Sequence, residues 1–248
     1  MTDFKQLYQK NLELTKQNIK ESVSKDIFIV QAINSIDELN RLINTLSKRI
    51  REWYSYCLPE LDKSIEDNQR LAKLILTKTR KEQLKEIGLK EEGSMGKEFS
   101  KTELSLLTEL AKELTNLYEL KNKGEAYLEI LVKELCPNMH TLTGALIGAR
   151  LVELAGSLKK LATMSASQVQ LLGAEKALFR HLVKGSRCPK YGILHEHPLI
   201  QKAKKSDHGK VARRLADKIS IAVRVDFFKG KFIGDKLKKE LEEKLNKN

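Results

Sequence analysis

The stretch Leu172-Gly173-Ala174-Glu175-Lys176-Ala177-Leu178-Phe179-Arg180-His181-Leu182 has residue types suited to gripping a phosphate rather than to breaking a bond. Gly173 permits a tight turn into a helix. Glu175 falls in the first turn, where the macrodipole favours a carboxylate, and the backbone N–H groups of a helix start can meet a phosphate. Leu178 and Leu182, four residues apart, are expected to face the core, which leaves Lys176, Arg180 and His181 for the surface. A second basic cluster follows: Lys202, Lys204, Lys205, Lys210, Arg213, Arg214, Lys218 and Arg224. A helix is expected from Gly209, with Val211, Leu215, Ile219 and Ala222 as its apolar stripe and the charged residues off it. Its start, Ser206-Asp207-His208-Gly209, is suited to cap the helix or to meet a phosphate.

Other chemistry is poorly represented. His195-Glu196-His197 has His-x-His spacing, but it abuts Pro198 and has no nearby Cys, so it is not read as a metal site. His140 and His208 belong to no constellation. Cys57, Cys136 and Cys188 are far apart and form no CxxC pair, which argues against a disulfide framework or zinc ribbon and fits a reducing compartment. A methyltransferase would need alternating strands and helices with a glycine-rich cofactor loop, and neither pattern is present. No Ser/His/Asp or Cys/His arrangement stands out. The expectation is a protein that is not an enzyme and carries no cofactor or metal.

The charge distribution supports a polyanion partner. The net charge is +13. Residues 1–135 hold 23 Lys+Arg against 23 Asp+Glu, whereas residues 136–248 hold 23 against 10. The whole excess lies in the second part, which makes that part the candidate for binding nucleic acid. The first 25 residues are polar with no apolar leader region, and no stretch approaches the ~18 apolar residues of a membrane span. A soluble, intracellular protein without a membrane partner is expected.

These residues must be positioned by helices. Among 248 residues only 4 are Pro and 13 Gly, few breakers for this length. Residues 1–25 show weak helical signs at Leu7, Leu12 and Ile19 and read as a linker. From Asp26, Ile29, Ala32, Ile36, Leu39, Ile43, Leu46, Ile50 and Trp53 alternate steps of three and four, an a/d seam. Pro59 should interrupt that helix, and a helical pattern resumes through Ile65, Leu71, Leu74 and Ile75. Residues 77–102 lose the period, carry Gly88, Gly93 and Gly96, and read as the tip of a hairpin. A second, looser seam runs through Leu104, Leu107, Leu110, Leu114, Leu117, Leu120, Gly124, Leu128, Leu131 and Leu135. Two such seams around a polar tip predict an antiparallel coiled-coil arm over 26–135; a 30-residue helix reaches about 45 Å. A lone two-helix hairpin buries little, so homodimerisation through the arm is expected, on Ile36, Leu39, Ile43, Leu46, Ile50, Trp53, Leu107, Leu110, Leu114 and Leu117. Cys136-Pro137 ends the arm and serves as a candidate hinge. A compact domain is expected over 136–248, in which Gly144-x-x-x-Gly148 lets two helices pack closely. The fold class is therefore all-α.

The string Gly173-Ala174-Glu175-Lys176-Ala177-Leu178-Phe179-Arg180 resembles the signature of the Nop domain, shared by nucleolar Nop proteins, their archaeal counterparts and a splicing factor. The resemblance extends over roughly residues 25–245. Arg51-Glu52-Trp53-Tyr54 and Leu58-Pro59-Glu60-Leu61 are similar to the family's RxWY and FPEL elements, with Cys57-Leu58 where His-Phe is usual. Pro189-Lys190-Tyr191-Gly192, His197-Pro198-Leu199-Ile200, Gly209-Lys210-Val211-Ala212-Arg213 and Ala222-Val223-Arg224-Val225-Asp226 follow in the family's order. His181-Leu182 after the signature, and the lack of a Lys/Glu-rich tail, resemble the archaeal branch, which implies a cytoplasmic setting; a eukaryotic member would be nucleolar.

The resemblance implies a scaffold of box C/D ribonucleoproteins, which guide RNA 2′-O-methylation. Such a protein binds a kink-turn guide RNA together with a small ribosomal-protein homologue that holds it. Its coiled coil self-associates or pairs with a paralogue. In the family a separate N-terminal domain recruits fibrillarin, the methyltransferase; residues 1–25 are too short to form it and are read as a linker or its remnant. Gly173, Ala174, Glu175, Lys176, Arg180 and His181 would lie against the kink-turn and its protein, Lys and Arg meeting phosphates while Gly and Ala allow close approach. Two other readings are a spliceosomal Nop-type factor and a coiled-coil dimer whose basic domain binds protein. A leucine-zipper DNA binder is excluded, because the segment before the heptads is neutral rather than basic.

Overall fold

The computed structural model describes residues 2–89 and 93–246. Among the described residues all regular structure is helical, with no strand. No helix among them is long and apolar enough to cross a membrane. The chain divides into two compact units, Asn34–Ala126 on the one hand and Met1–Ile33 with Tyr127–Asn248 on the other. The base of each long helix therefore groups with the domain that follows.

Residues expected to form a linker are instead a continuous helix, α1 (Thr2–Ser22), whose described side chains are all exposed. The apolar residues Phe4, Tyr8, Leu12 and Ile19 carry it at helical spacing, but they are too sparse to stand out against Lys and Asn in the sequence.

The first unit holds most of the arm. α2 (Lys25–Tyr54) ends before Pro59, which starts α3 (Pro59–Ser64) at its first turn. α4 (Asn68–Thr77) and α5 (Arg80–Glu86) follow, and α6 (Lys101–Leu135) returns. Ile43 and Ile50 pack with Ala111 and Leu114, and Gly124 lies opposite Ile36, so α2 and α6 run antiparallel. The expected seam is half right. Ile36, Ile43 and Ile50 are buried, as are Leu107 and Leu114. Leu39, Leu46, Trp53, Leu110 and Leu117 are only half-buried, and Leu120 is exposed. One residue along, Ser47, Tyr54 and Ala111 are buried in their place. A broad apolar stripe contains two candidate seams, and the small side chains of Ser47 and Ala111 let the helices close on the one that looks less hydrophobic.

The tip also differs from expectation. Residues 80–86 are helical, and Thr79 and Glu82 cap them with a reciprocal capping box. Seven residues are too few to display a period, so the sequence hides this helix. Residues 90–92, within the expected tip, lie outside the described residues. The short helices enclose a core of Tyr54, Cys57, Leu58, Leu61, Ile65, Leu71, Leu74, Leu84 and Leu107. Arg51 ties them down: it donates to Asn68 Oδ1 at 2.6 Å, to Asp62 Oδ1 at 2.7 Å and to the carbonyls of Ile65 and Glu66, both at 2.7 Å. Leu58, in the FPEL-like element, is fully buried.

The second unit is organised around one buried helix. After Leu135, Cys136 joins directly into α7 (Pro137–Ala155), followed by α8 (Leu158–Thr163), α9 (Ala166–Leu171) and α10 (Glu175–Lys184). A 3-10 turn at Ile193–Glu196 leads through α11 (Pro198–Gln201) to α12 (His208–Phe227) and α13 (Gly234–Asn246). α12 packs against α7, α8, α9, α11 and α13. Its expected stripe, Val211, Leu215, Ile219 and Ala222, is buried, and so are Ala212, Ala216, Ser220 and Val223. Of the small-residue pair, Gly148 does permit close packing, since a Cβ there would lie 3.2 Å from Met139 Cε and 3.5 Å from Val132 Cγ1. Gly144 does something else: at φ 72° and ψ 178° it breaks α7 into two segments.

Asp26 and His197 place polar groups in this unit. Asp26 Oδ2 accepts the Leu158 N–H at 2.8 Å, satisfying an orphan donor at the start of α8. His197, expected not to be a ligand, uses both ring nitrogens internally: Nε2 lies 2.8 Å from the Leu142 carbonyl and Nδ1 accepts the Leu199 N–H at 3.2 Å. Burial lowers its pKa below 6.5, with Lys238 acting in the same direction. The neutral ring is favoured in the fold, whereas the unfolded chain takes up a proton near pH 6.5. Stability is therefore complete above that pH and is lost as pH falls toward the lower folded value. The melting temperature should fall between pH 7 and pH 5, and a His197→Gln variant, less stable at pH 7, should lose much of that acid dependence. An acid dependence unchanged in the variant would assign it to other groups.

Candidate nucleic-acid interface

The signature string is held from below by its backbone. Gly192 donates its N–H to the Gln170 carbonyl at 2.9 Å, and Ile193 donates to Leu172 at 2.7 Å. The two segments lie so close that a Cβ on Gly192 would sit 1.8 Å from the Leu172 oxygen. From this clasp the chain turns at Gly173, whose φ of 85° is a left-handed value that glycine adopts without strain. The Gly173 N–H donates to Glu175 Oε1 at 2.7 Å, so Glu175 closes the turn. Ala174 provides no side-chain cap, and no side chain of its own covers the first amides of α10. At the other end Gly185 donates to the His181 carbonyl, and the His181 ring nitrogen Nδ1 is bonded to the Ser186 carbonyl.

α10 itself buries no side chain. Lys176 and Arg180 are exposed, and with Glu175 and Phe179 they line a shallow groove. Among the described residues neither cation has an ion-pair partner. Leu182 was expected in the core but is 73% exposed; Phe179 is 66% and Val183 62% exposed. Leu178 is half-buried, as are Ala177 and His181. The i, i+4 spacing identified an apolar face, but nothing among the described residues covers it. α10 thus presents cations and an apolar surface together.

The second basic cluster divides. Lys202, Lys204, Lys205 and Arg213 are exposed, and Lys210 is exposed with Nζ 3.5 Å from Asp207 Oδ1. The others also bond within the protein. Lys218 is 6% exposed and donates to Glu240 at 2.5 Å, which holds that carboxyl below the usual range. Arg214 donates to the Lys244 carbonyl at 2.5 Å, and Arg224 donates to the carbonyls of Ala162 and Met164, both at 3.2 Å. On a central helix a charged residue off the main stripe can meet a neighbour before water: Lys218 is buried in its ion pair and Arg214 is half-buried, whereas Arg224 is exposed beside its two carbonyls.

Between the two basic regions lies a group of rings that the sequence reading did not bring together. The Tyr191 ring stacks on His195 with centroids 4.7 Å apart, and His208 lies 5.9 and 5.6 Å from the two. The Lys190 carbonyl accepts from Gln170 at 2.6 Å, and its side chain lies 3.5 Å from where a Cβ of Gly209 would be. Nothing in the spacing of Tyr191, His195 and His208 announces a ring cluster, because an irregular loop brings them together. Among the described residues no group of three or more His, Cys, Asp or Glu could hold a metal ion. The arrangement suits phosphate contacts, stacking and apolar docking.

Comparison with known proteins agrees. The family model "Nop: snoRNA binding domain, fibrillarin" matches residues 35–247. A NOP5 family protein of Methanocaldococcus jannaschii is 41% identical over 98% of this chain and 61% of its own length. Nucleolar protein 56 of Mus musculus is 37% identical over 94% of this chain and 44% of its own. The yeast protein of that name, from Saccharomyces cerevisiae, is 36% identical over 93% and 50%. The chain thus spans between 44% and 61% of the length of these relatives. Among solved structures, a fibrillarin/Nop5p complex has a chain of the same fold, with TM-score 0.59, 22% identity, and coverage of 98% of this chain and 78% of that one. Helical architecture, ordered sequence elements and family match coincide over nearly all the residues, and this chain belongs to the Nop, or snoRNA-binding, domain family.

Proposed function

We propose that this protein is a non-catalytic scaffold of a box C/D small ribonucleoprotein, binding a kink-turn guide RNA together with the small protein that holds the kink-turn. The observation that carries this reading is α10. A helix that buries nothing, is anchored through a rigid clasp, and displays Lys176 and Arg180 beside Phe179, Leu182 and Val183 fits a composite surface of phosphates and protein. Lys202, Lys204, Lys205, Lys210 and Arg213 extend the basic surface toward phosphates. Fibrillarin is the expected enzymatic partner in that assembly, and the arm is expected to self-associate through apolar residues that its internal core leaves exposed, Leu42, Leu106 and Leu120, beside the half-buried Leu39.

The test is a gel-shift titration of a box C/D kink-turn RNA with and without its kink-turn-binding protein. Binding should require that protein. Lys176→Ala/Arg180→Ala should weaken it about 100-fold, the loss of two charge-assisted contacts. The slope of log affinity against log salt should become shallower by roughly 1.5, since two phosphate contacts are removed. If the chain binds neither RNA nor complex, the basic unit has another client and the scaffold reading fails.

A further inference from the structure

A second surface, away from α10 in sequence, has the features of a nucleotide site. The loop between α12 and α13 is Phe228-Lys229-Gly230-Lys231-Phe232. It places two large rings in water, Phe228 at 77% and Phe232 at 53% exposure, with Lys229 and Lys231 exposed between them. The loop is closely held: Phe228 donates its N–H to Arg224 at 3.0 Å, Lys229 to Asp226 at 3.2 Å, Gly230 to Val225 at 2.8 Å, and Ile233 to Asn138 Oδ1 at 2.6 Å. Lys229 adopts a left-handed φ of 54°. Exposed rings on a fixed backbone cost little entropy when something stacks on them.

Beside the loop lies a cleft of about 730 Å³. Leu135, Leu158 and Phe227 give it an apolar lining, and Phe227 meets Phe228 edge to face with centroids 5.1 Å apart. Its acidic groups are already engaged. Glu134 pairs with Lys25, Asp26 accepts from Ser24 and Leu158, and Asp226 accepts from Asn138 and Met139. Lys159 and Lys229 also line it, and among the described residues neither has an ion-pair partner. Three carboxylates and three lysines thus line the cleft beside its apolar residues; each carboxylate is already bonded within the protein, which leaves Lys159 and Lys229 as the lysines without an ion-pair partner among the described residues.

We propose that this cleft and loop bind an unpaired nucleotide of RNA, its base stacking on the exposed face of Phe228 and its phosphate meeting Lys159 and Lys229. The size suits one or two nucleotides. A single strand is required because a duplex hides the base faces that the rings would cover. RNA is favoured over an acidic peptide because flat rings and isolated lysines supply stacking and point charges, and the excess of basic residues lies in this part of the chain. The inference rests on the RNA-binding reading but uses none of the α10 residues.

The experiment is fluorescence anisotropy of the full chain with a labelled single-stranded RNA oligonucleotide that cannot form a kink-turn. Phe228→Ala should lower affinity about tenfold, the loss of one stacked base. Lys159→Ala/Lys229→Asn should lower it and flatten the salt dependence, asparagine tolerating the left-handed backbone. Because these side chains are at the surface, melting temperatures should match wild type. Lys176→Ala/Arg180→Ala should keep single-strand binding while losing the kink-turn complex, and Phe228→Ala should do the reverse. The proposal is overturned if wild type binds no single-stranded RNA or if Phe228→Ala binds it unchanged. It is equally overturned if Phe228→Ala instead abolishes binding to anionic lipid vesicles or to an acidic peptide and leaves RNA binding intact.

Discussion

Gly192→Ala should abolish binding to the kink-turn complex although every cation of α10 is retained. The added Cβ would stand 1.8 Å from the Leu172 oxygen, far inside any van der Waals contact, and the obstacle is backbone rather than a mobile side chain. The two segments must part, which breaks the Gly192–Gln170 and Ile193–Leu172 hydrogen bonds. Two lost bonds at about 1 kcal/mol each, with backbone strain of about 1–3 kcal/mol, give a cost of roughly 3–5 kcal/mol. α10 buries no side chain, so its position depends on the turn at Gly173 that this clasp supports. A loss of at least about 100-fold in affinity is expected, with a lower melting temperature. Gly173→Ala, strained by φ 85° but not obstructed as closely, should cost about 1–2 kcal/mol. Wild-type binding by Gly192→Ala would mean that the clasp does not set the orientation of α10.

Asp226→Ala should destabilise the second unit by about 3–5 kcal/mol. Its Oδ1 accepts from the Asn138 N–H at 3.1 Å and the Asn138 side-chain amide at 2.7 Å, and its Oδ2 accepts from the Met139 N–H at 2.9 Å. All three donors are buried, and two are the orphan amides of the first turn of α7. Asn138 in turn accepts from Ile233, so one carboxylate joins the start of α7, the end of α12 and the chain entering α13. Burial holds the Asp226 carboxyl above the usual carboxylate range despite these donors. What it contributes is therefore the hydrogen bonds rather than its charge. Asp226→Asn, which keeps one acceptor oxygen, should cost about half as much. Thermal unfolding of the two variants separates the cases: equal losses would show that the charge itself matters.

The residues that carry the family resemblance were legible because their roles are local. Gly173 turns, Lys176 and Arg180 point outward, and Pro59 starts a helix whatever surrounds them. Arg51, by contrast, reads only as a charged residue off the seam, yet its guanidinium gathers five acceptors from residues 62–68. Its role depends on a return of the chain that no neighbouring residue encodes.

By itself the sequence determined the helical class, the two long arm helices, the basic second part and the outward cations of α10. Each follows from periodicity, breaker content or net charge, properties that add up along the chain. Tertiary structure alone decided which of two adjacent stripes closes the arm, burying Ser47 and Ala111 where Leu46 and Leu110 were expected. It also decided that Leu182 is bare while Lys218 is enclosed. A 3.6-residue period records that a face is apolar, but whether that face is covered depends on the shape and size of what packs against it.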